Sequence, residues 1–229
     1  DDAFCKDALK ILYDSSDNGK FDIVQGRAKS LVYLDKNYEE CPKNLQRNIF
    51  YYEGEIFNHE IFHKSFYNHF ITCTLWNKLI KRELYDKAFN DIPHSYCVMN
   101  EDFLIYFFIS LYAKSFKGID SIIHFYTVDT GITADKCIKD LRLWENKCTT
   151  SNVVTVIEYF IINNKNLFSK KELKLLKSIG VSFAKTLIRD FNYLVHPEIK
   201  AKAYELLCFY FGDKNIKLLM QQCMGKKRP

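Results

Sequence analysis

Apolar residues at 4, 8, 9, 11 and 12 recur at helical spacing, so the pattern predicts a helix over residues 3–14, with Asp1 and Asp2 at its N-terminal end. A polar loop at 15–20 follows. Phe21-Asp-Ile-Val-Gln25 then alternates as a strand does, and residues 28–34 predict a second strand. Residues 35–48 are polar and carry Pro42, a loop composition, and residues 53–62 predict a short helix. Residues 70–80 fit a strand and a helix equally well. A helical turn at 84–89 should end at Ile92-Pro93, because a residue before proline is pushed out of the helical region. Residues 101–116 are apolar almost all round, the pattern of a helix buried on most sides. Gly118 is expected to stop that helix, and residues 119–128 to return as a strand.

Beyond Thr133 only helical periods remain, at 134–146, 151–163, 169–194 and 198–223. Ser169-x-x-Glu172 has the form of a capping box, and His196-Pro197 that of a break. This change of pattern divides the chain into an α/β part, 1–133, and an all-helical part, 134–229.

Composition narrows the class. With 229 residues, 48% hydrophobic and 16% aromatic, the chain can bury a large core, which excludes a disordered protein. The longest apolar run, Phe103 to Ala113, is about half of the roughly 20 residues needed to cross a bilayer. Eight scattered cysteines without a C-x-x-C pair point to reduced thiols and a cytosolic setting. A net charge of +5 suits a phosphate-bearing ligand or an anionic membrane surface. No signal-peptide pattern stands at the front, and the start at Asp1 reads as a cut within a longer polypeptide.

Two clusters carry candidate chemistry. Glu101-Asp102 opens the apolar helix, where a carboxylate can simply favour the helix dipole or can take a proton from a bound hydroxyl. Trp76-Asn77-Lys78, followed by Lys81 and Arg82, is either a solvated cationic face or a lining for a sugar and its diphosphate. A rival motif is His59-Glu60-Ile61-Phe62-His63, which fits the H-E-x-x-H zinc pattern with Glu83 as a distant third ligand. Lys64 directly after the second histidine counts against it. His69 and His94 lack ligand-spaced partners, and Lys226-Lys-Arg228 reads as a basic tail.

The order Leu75-Trp-Asn-Lys-Leu-Ile-Lys-Arg-Glu83, Phe89, Ile92-Pro93, Glu101-Asp102, Ala113-Lys114, Tyr126 and Gly131-Ile-Thr133 resembles glycosyltransferase family 2. More narrowly it is similar to the bacterial members that build lipopolysaccharide, capsule or other surface glycans. The resemblance covers about 1–133 and is specific in 75–133. It implies the C-terminal half of a GT-A-type α/β domain followed by a helical subdomain, with the chain starting inside the family's Asp-x-Asp motif. Asp102 would then be the general base and Glu101 its partner. Trp76, Asn77, Lys78, Lys81, Arg82 and His124 would lie near donor and acceptor. Asp1, with Asp2 beside it, would hold Mg2+ or Mn2+ against the donor diphosphate. The implied partners are a nucleotide-sugar donor and a glycan or lipid-linked acceptor, with peripheral membrane contact and no nucleic acid. The implied setting is the cytoplasm, at the inner face of the plasma membrane. The first Asp of the metal motif and the upstream strand–helix repeats are missing, so the chain alone is expected to be inactive. A zinc metallopeptidase and a non-catalytic helical interaction module are the alternatives.

Overall fold

The computed structural model describes residues 2–34, 37–42, 51–128 and 137–224. Asp1, Gly131-Ile132-Thr133 and the basic tail at 226–228 lie outside the described residues. The protein is mixed α/β, 55% helix and 19% strand, with a mixed sheet. It forms two compact units: residues 1–92 with 102–134, and residues 93–101 with 135–229.

The first unit is built on two long parallel strands, β2 (Ile23–Leu34) and β6 (Ser115–Thr127), at the centre of a six-stranded sheet. Four short strands flank this pair, all antiparallel to it. β1 (Ala3–Phe4) and β4 (Gly54–Phe57) pair with the two ends of β6. β3 (Asn37–Glu40) and β5 (Lys78–Ile80) pair with the two ends of β2. Helix α1 (Ala8–Ser15) covers this sheet through Ala8 and Leu12, which pack on Val24 and Ile123. Helices α2 (Glu60–Phe66) and α4 (Glu101–Tyr112) meet through aromatic edges, Phe62 on Phe107 and Phe66 on Phe103. Tyr106, Phe107, Phe108 and Ile109 of α4 are all 0% exposed, as the apolar run requires. Helix α3 (Arg82–Asp91) ends at Ile92, ahead of Pro93.

Several elements depart from the sequence pattern, each because a distant strand sets the local structure. Residues 3–4 pair with β6 instead of starting the first helix, which begins only after Asp7 takes a left-handed turn (φ 63°). The two strands expected at 21–25 and 28–34 are one strand with a register shift around Gly26. The short helix expected at 53–62 divides into β4 and α2 at Asn58, which is also left-handed (φ 55°). The polar stretch after Leu34 includes β3. Gly118 lies within β6 and stops nothing: a Cβ built there would lie 1.6 Å from the Tyr52 carbonyl oxygen, so glycine lets the chain preceding β4 approach.

The second unit is helical: α5 (Leu141–Cys148), α6 (Thr150–Asn163), α7 (Lys170–Tyr193), α8 (Lys200–Phe211) and α9 (Asp213–Met224). Ser169 and Glu172 form the expected reciprocal capping box at the start of α7. The helix expected at 198–223 breaks at Gly212 (φ 83°) into α8 and α9. Its core surrounds Trp144, whose indole N–H donates to the Ala203 carbonyl at 2.8 Å. A buried Lys147–Asp190 ion pair at 3.3 Å stands near it in sequence. Residues 93–101 belong to this unit: Val98 N–H donates to Thr149 Oγ1 at 3.1 Å, and Asn100 Nδ2 to Thr150 Oγ1 at 2.8 Å.

Candidate functional site

Residues 72–77 precede β5 and are irregular, and the side chains of 76–78 divide between two directions. Asn77 is the divider. It is 0% exposed and grips the bulge of β2, its Nδ2 donating to the Gly26 carbonyl (3.3 Å) while its own carbonyl accepts the Gly26 N–H (3.1 Å). Its Oδ1 accepts from Thr74 Oγ1 at 3.1 Å and from Lys78 Nζ at 3.2 Å. A side chain so engaged holds a loop in place and has little left to offer a ligand.

Lys78 points toward α4. Its ammonium also donates to the carbonyls of Thr72 (2.8 Å) and Thr74 (2.5 Å), and stands 4.7 Å from the centre of the Tyr106 ring. Burial pulls it down to about 7, against the charges of Cys73 and Asp102, which favour the ammonium. Asp102 lies one helical turn before Tyr106, hence on the same face of α4. Its partly buried carboxyl accepts the Leu75 N–H. Burial raises its pKa above the ordinary range, opposed by the Leu75 N–H and by the charge of Lys78. The Cys73 thiol, also near both charges, is pushed up to about 12 by burial. Asp102, Lys78, Tyr106 and Cys73 therefore form one cluster, a half-buried carboxyl facing a lysine whose protons all have acceptors.

Trp76 points the other way, onto the sheet. It stacks on His124 (4.3 Å between centroids) and on Tyr126 (5.7 Å), while Phe4 meets His124 edge-on. His124 Nε2 lies 3.3 Å from Asp2 Oδ2, and the other Asp2 oxygen accepts the Thr127 N–H at 2.8 Å. Burial lowers the His124 pKa, against the hydrogen bond and charge of Asp2. His124 Nδ1 is buried without a hydrogen-bond partner among the described residues.

The other predicted residues fall outside both clusters. Lys81 pairs with Asp22 at 2.8 Å and donates to the Lys20 carbonyl, which fixes the start of α3 against β2. Burial alone would raise Asp22, but Lys81 and the backbone of Lys114 and Ser115 hold it below its usual value. Lys81 thus serves the fold as a structural cation. Arg82 is 92% exposed in its side chain and among the described residues pairs with Asp86, at 3.9 Å, because it occupies the solvent face of α3. Glu101 is exposed, and its charge acts on the Cys97 thiol. In the zinc-like motif, Glu60 pairs with Lys64 at 3.5 Å, His59 stacks on Phe62 and His63 on Tyr67. Glu83 is exposed.

Among the described residues, no group of three or more His, Cys, Asp or Glu side chains could hold a metal ion. Asp2 is instead engaged by His124 and Thr127, so the described residues do not by themselves fit a divalent cation. Pattern reasoning missed Tyr106, Cys73 and Asp22. Tyr106 was within reach of it, since Asp102 and Tyr106 are spaced i, i+4 on one helix. Cys73 and Asp22 carry no local signal. Neither the protein-family models nor the curated proteins contain a match to this chain.

Proposed function

We propose that the α/β unit is the acceptor and catalytic half of an inverting glycosyltransferase, similar to the family 2 enzymes of bacterial surface-glycan synthesis and of GT-A type. One observation carries this reading. Asp102 opens a buried helix, its pKa is raised by burial, and it is clamped by the N–H that precedes Trp76. Of this segment it is the Leu75 N–H and Lys78 that reach the carboxyl, while Trp76 stacks on the sheet, so the acceptor site of this reading is built on the Lys78 side. The order of a helix after Asp2 and then a strand through Ile23-Val24-Gln25 supports it as well.

In this reading Asp102 accepts the proton of an acceptor hydroxyl while that oxygen attacks the anomeric carbon of a nucleotide sugar. The bond from that carbon to the diphosphate breaks, and its electron pair leaves with the nucleoside diphosphate. A carboxyl with a raised pKa is a better proton acceptor than an ordinary surface aspartate. Tyr106 and Lys78 hold the floor beneath it. Mg2+ or Mn2+ near Asp1 follows from the family resemblance alone, and no step above passes through it. The acceptor would be a glycan or a lipid-linked sugar at the cytoplasmic face of the membrane.

The test uses a polypeptide that carries a donor-binding half ahead of Asp1, as the resemblance implies, and follows nucleoside diphosphate release in the presence of acceptor. Asp102→Asn should lower kcat on the order of 100- to 10,000-fold, with donor KM little changed. Wild-type turnover by that variant overturns the proposal.

A further inference from the structure

Helices α6 and α7 of the helical unit are joined by a 3-10 turn, Lys165–Leu167. Around this elbow three large apolar side chains stand in solvent: Tyr159 is 68% exposed, Ile162 62% and Leu167 48%. Tyr159 and Ile162 are spaced i, i+3 in the last turns of α6, so they share one face. The same elbow carries Lys165, Lys170, Lys171 and Lys174, all exposed and none in an ion pair among the described residues. Between residues 158 and 178 the carboxylates are Glu158, exposed, and Glu172, which is buried in the capping box.

Two features of this elbow are unfavourable for the folded chain itself. Exposed Tyr, Ile and Leu leave apolar surface in water. Lys170 and Lys171 occupy the first turn of α7, where the helix macrodipole disfavours cations. Both become favourable against one kind of partner, a surface that is anionic outside and apolar a few ångströms below. We propose that the α6–α7 elbow docks on an anionic lipid bilayer: Tyr159, Ile162 and Leu167 enter the headgroup–acyl boundary, and Lys165, Lys170, Lys171 and Lys174 meet the phosphates. Short basic and aromatic segments bind membranes through this combination. The inference stands on the surface alone and does not depend on the transferase reading.

The experiment is co-sedimentation of the full chain with vesicles of pure phosphatidylcholine and of phosphatidylcholine with 30–40% phosphatidylglycerol, a range of roughly physiological anionic charge. Binding is expected to the anionic vesicles only, and to fall as salt is raised. Lys165→Glu/Lys170→Glu/Lys171→Glu should weaken it at least tenfold, since each lysine near the surface contributes about fivefold. That variant should fold, because glutamate suits the first turn of α7 better than lysine does. A second variant, Tyr159→Ser/Ile162→Ser/Leu167→Ser, should weaken binding while leaving its salt dependence in place. Equal binding to both vesicle types overturns the proposal, as does undiminished binding by both variants. So does a concentration-dependent dimer of the wild type that the serine variant abolishes, since that would assign the patch to a second copy of this chain.

Discussion

Trp76 and Lys78 are two residues apart, yet they belong to different physical environments. Trp76 joins an aromatic stack on the sheet with His124 and Tyr126, closed by Asp2. Lys78 joins a polar cluster under α4 with Asp102 and Tyr106. Asn77, buried between them, ties the segment to the bulge of β2. A motif that reads as one ligand-binding trio is therefore a hinge pin with a different side chain on each side. In the proposed transferase, the Lys78 side faces the proton acceptor, and the Trp76 side faces the chain's amino end through Asp2.

The largest effect should come from the pin. Asn77→Ala removes partners from the Gly26 carbonyl, the Thr74 hydroxyl and the Lys78 ammonium at once. Leaving such groups unsatisfied should cost about 2–3 kcal/mol. Thermal unfolding should then shift down by roughly 5–10 °C for a chain of this size. Both clusters should loosen together; a variant in which only one does would mean that Asn77 does not tie them to each other.

Asp102→Asn should have a smaller effect and the opposite sign. A carboxyl whose folded pKa is raised contributes stability below its unfolded pKa and loses it as pH rises through the folded value. At pH 7 the wild-type carboxylate is therefore unfavourably buried. The neutral amide keeps an oxygen for the Leu75 N–H and should stabilise the fold slightly, by less than about 1 kcal/mol. The gain should shrink as pH falls toward 4. A loss of stability at pH 7 would mean that the Lys78 charge outweighs burial.

How much of this the amino-acid pattern could reveal depended on distance along the chain. The start of helix α4, the capping box at Ser169 and Glu172, and the breaks at Pro93 and Pro197 are written in short windows and stand where expected, but α4 ends at Tyr112 and not at 116, because Ser115 and Phe116 are taken into β6. The parallel pairing of β2 with β6 joins residues about ninety positions apart, and so does the role of Asp22, which meets Lys114 and Ser115. No local period reports such pairings. The short strands β1 and β4 exist because β6 offers them an edge, and their own residues read as helix. Arg82 is a different case: its neighbours in sequence group it with Lys78, but helical geometry places it on the solvent face of α3. The membership of residues 93–101 in the helical unit rests on hydrogen bonds to Thr149 and Thr150, some fifty residues on.

The most direct test follows the Asp102 carboxyl itself, by carbon-13 NMR across a pH titration of the wild type, Lys78→Met and Trp76→Ala. The wild-type midpoint should lie above the ordinary aspartate value of about 3.9, rise further in Lys78→Met, and change little in Trp76→Ala. A midpoint at or below the ordinary value, or one that follows Trp76 and ignores Lys78, would contradict the burial of Asp102 beside Lys78.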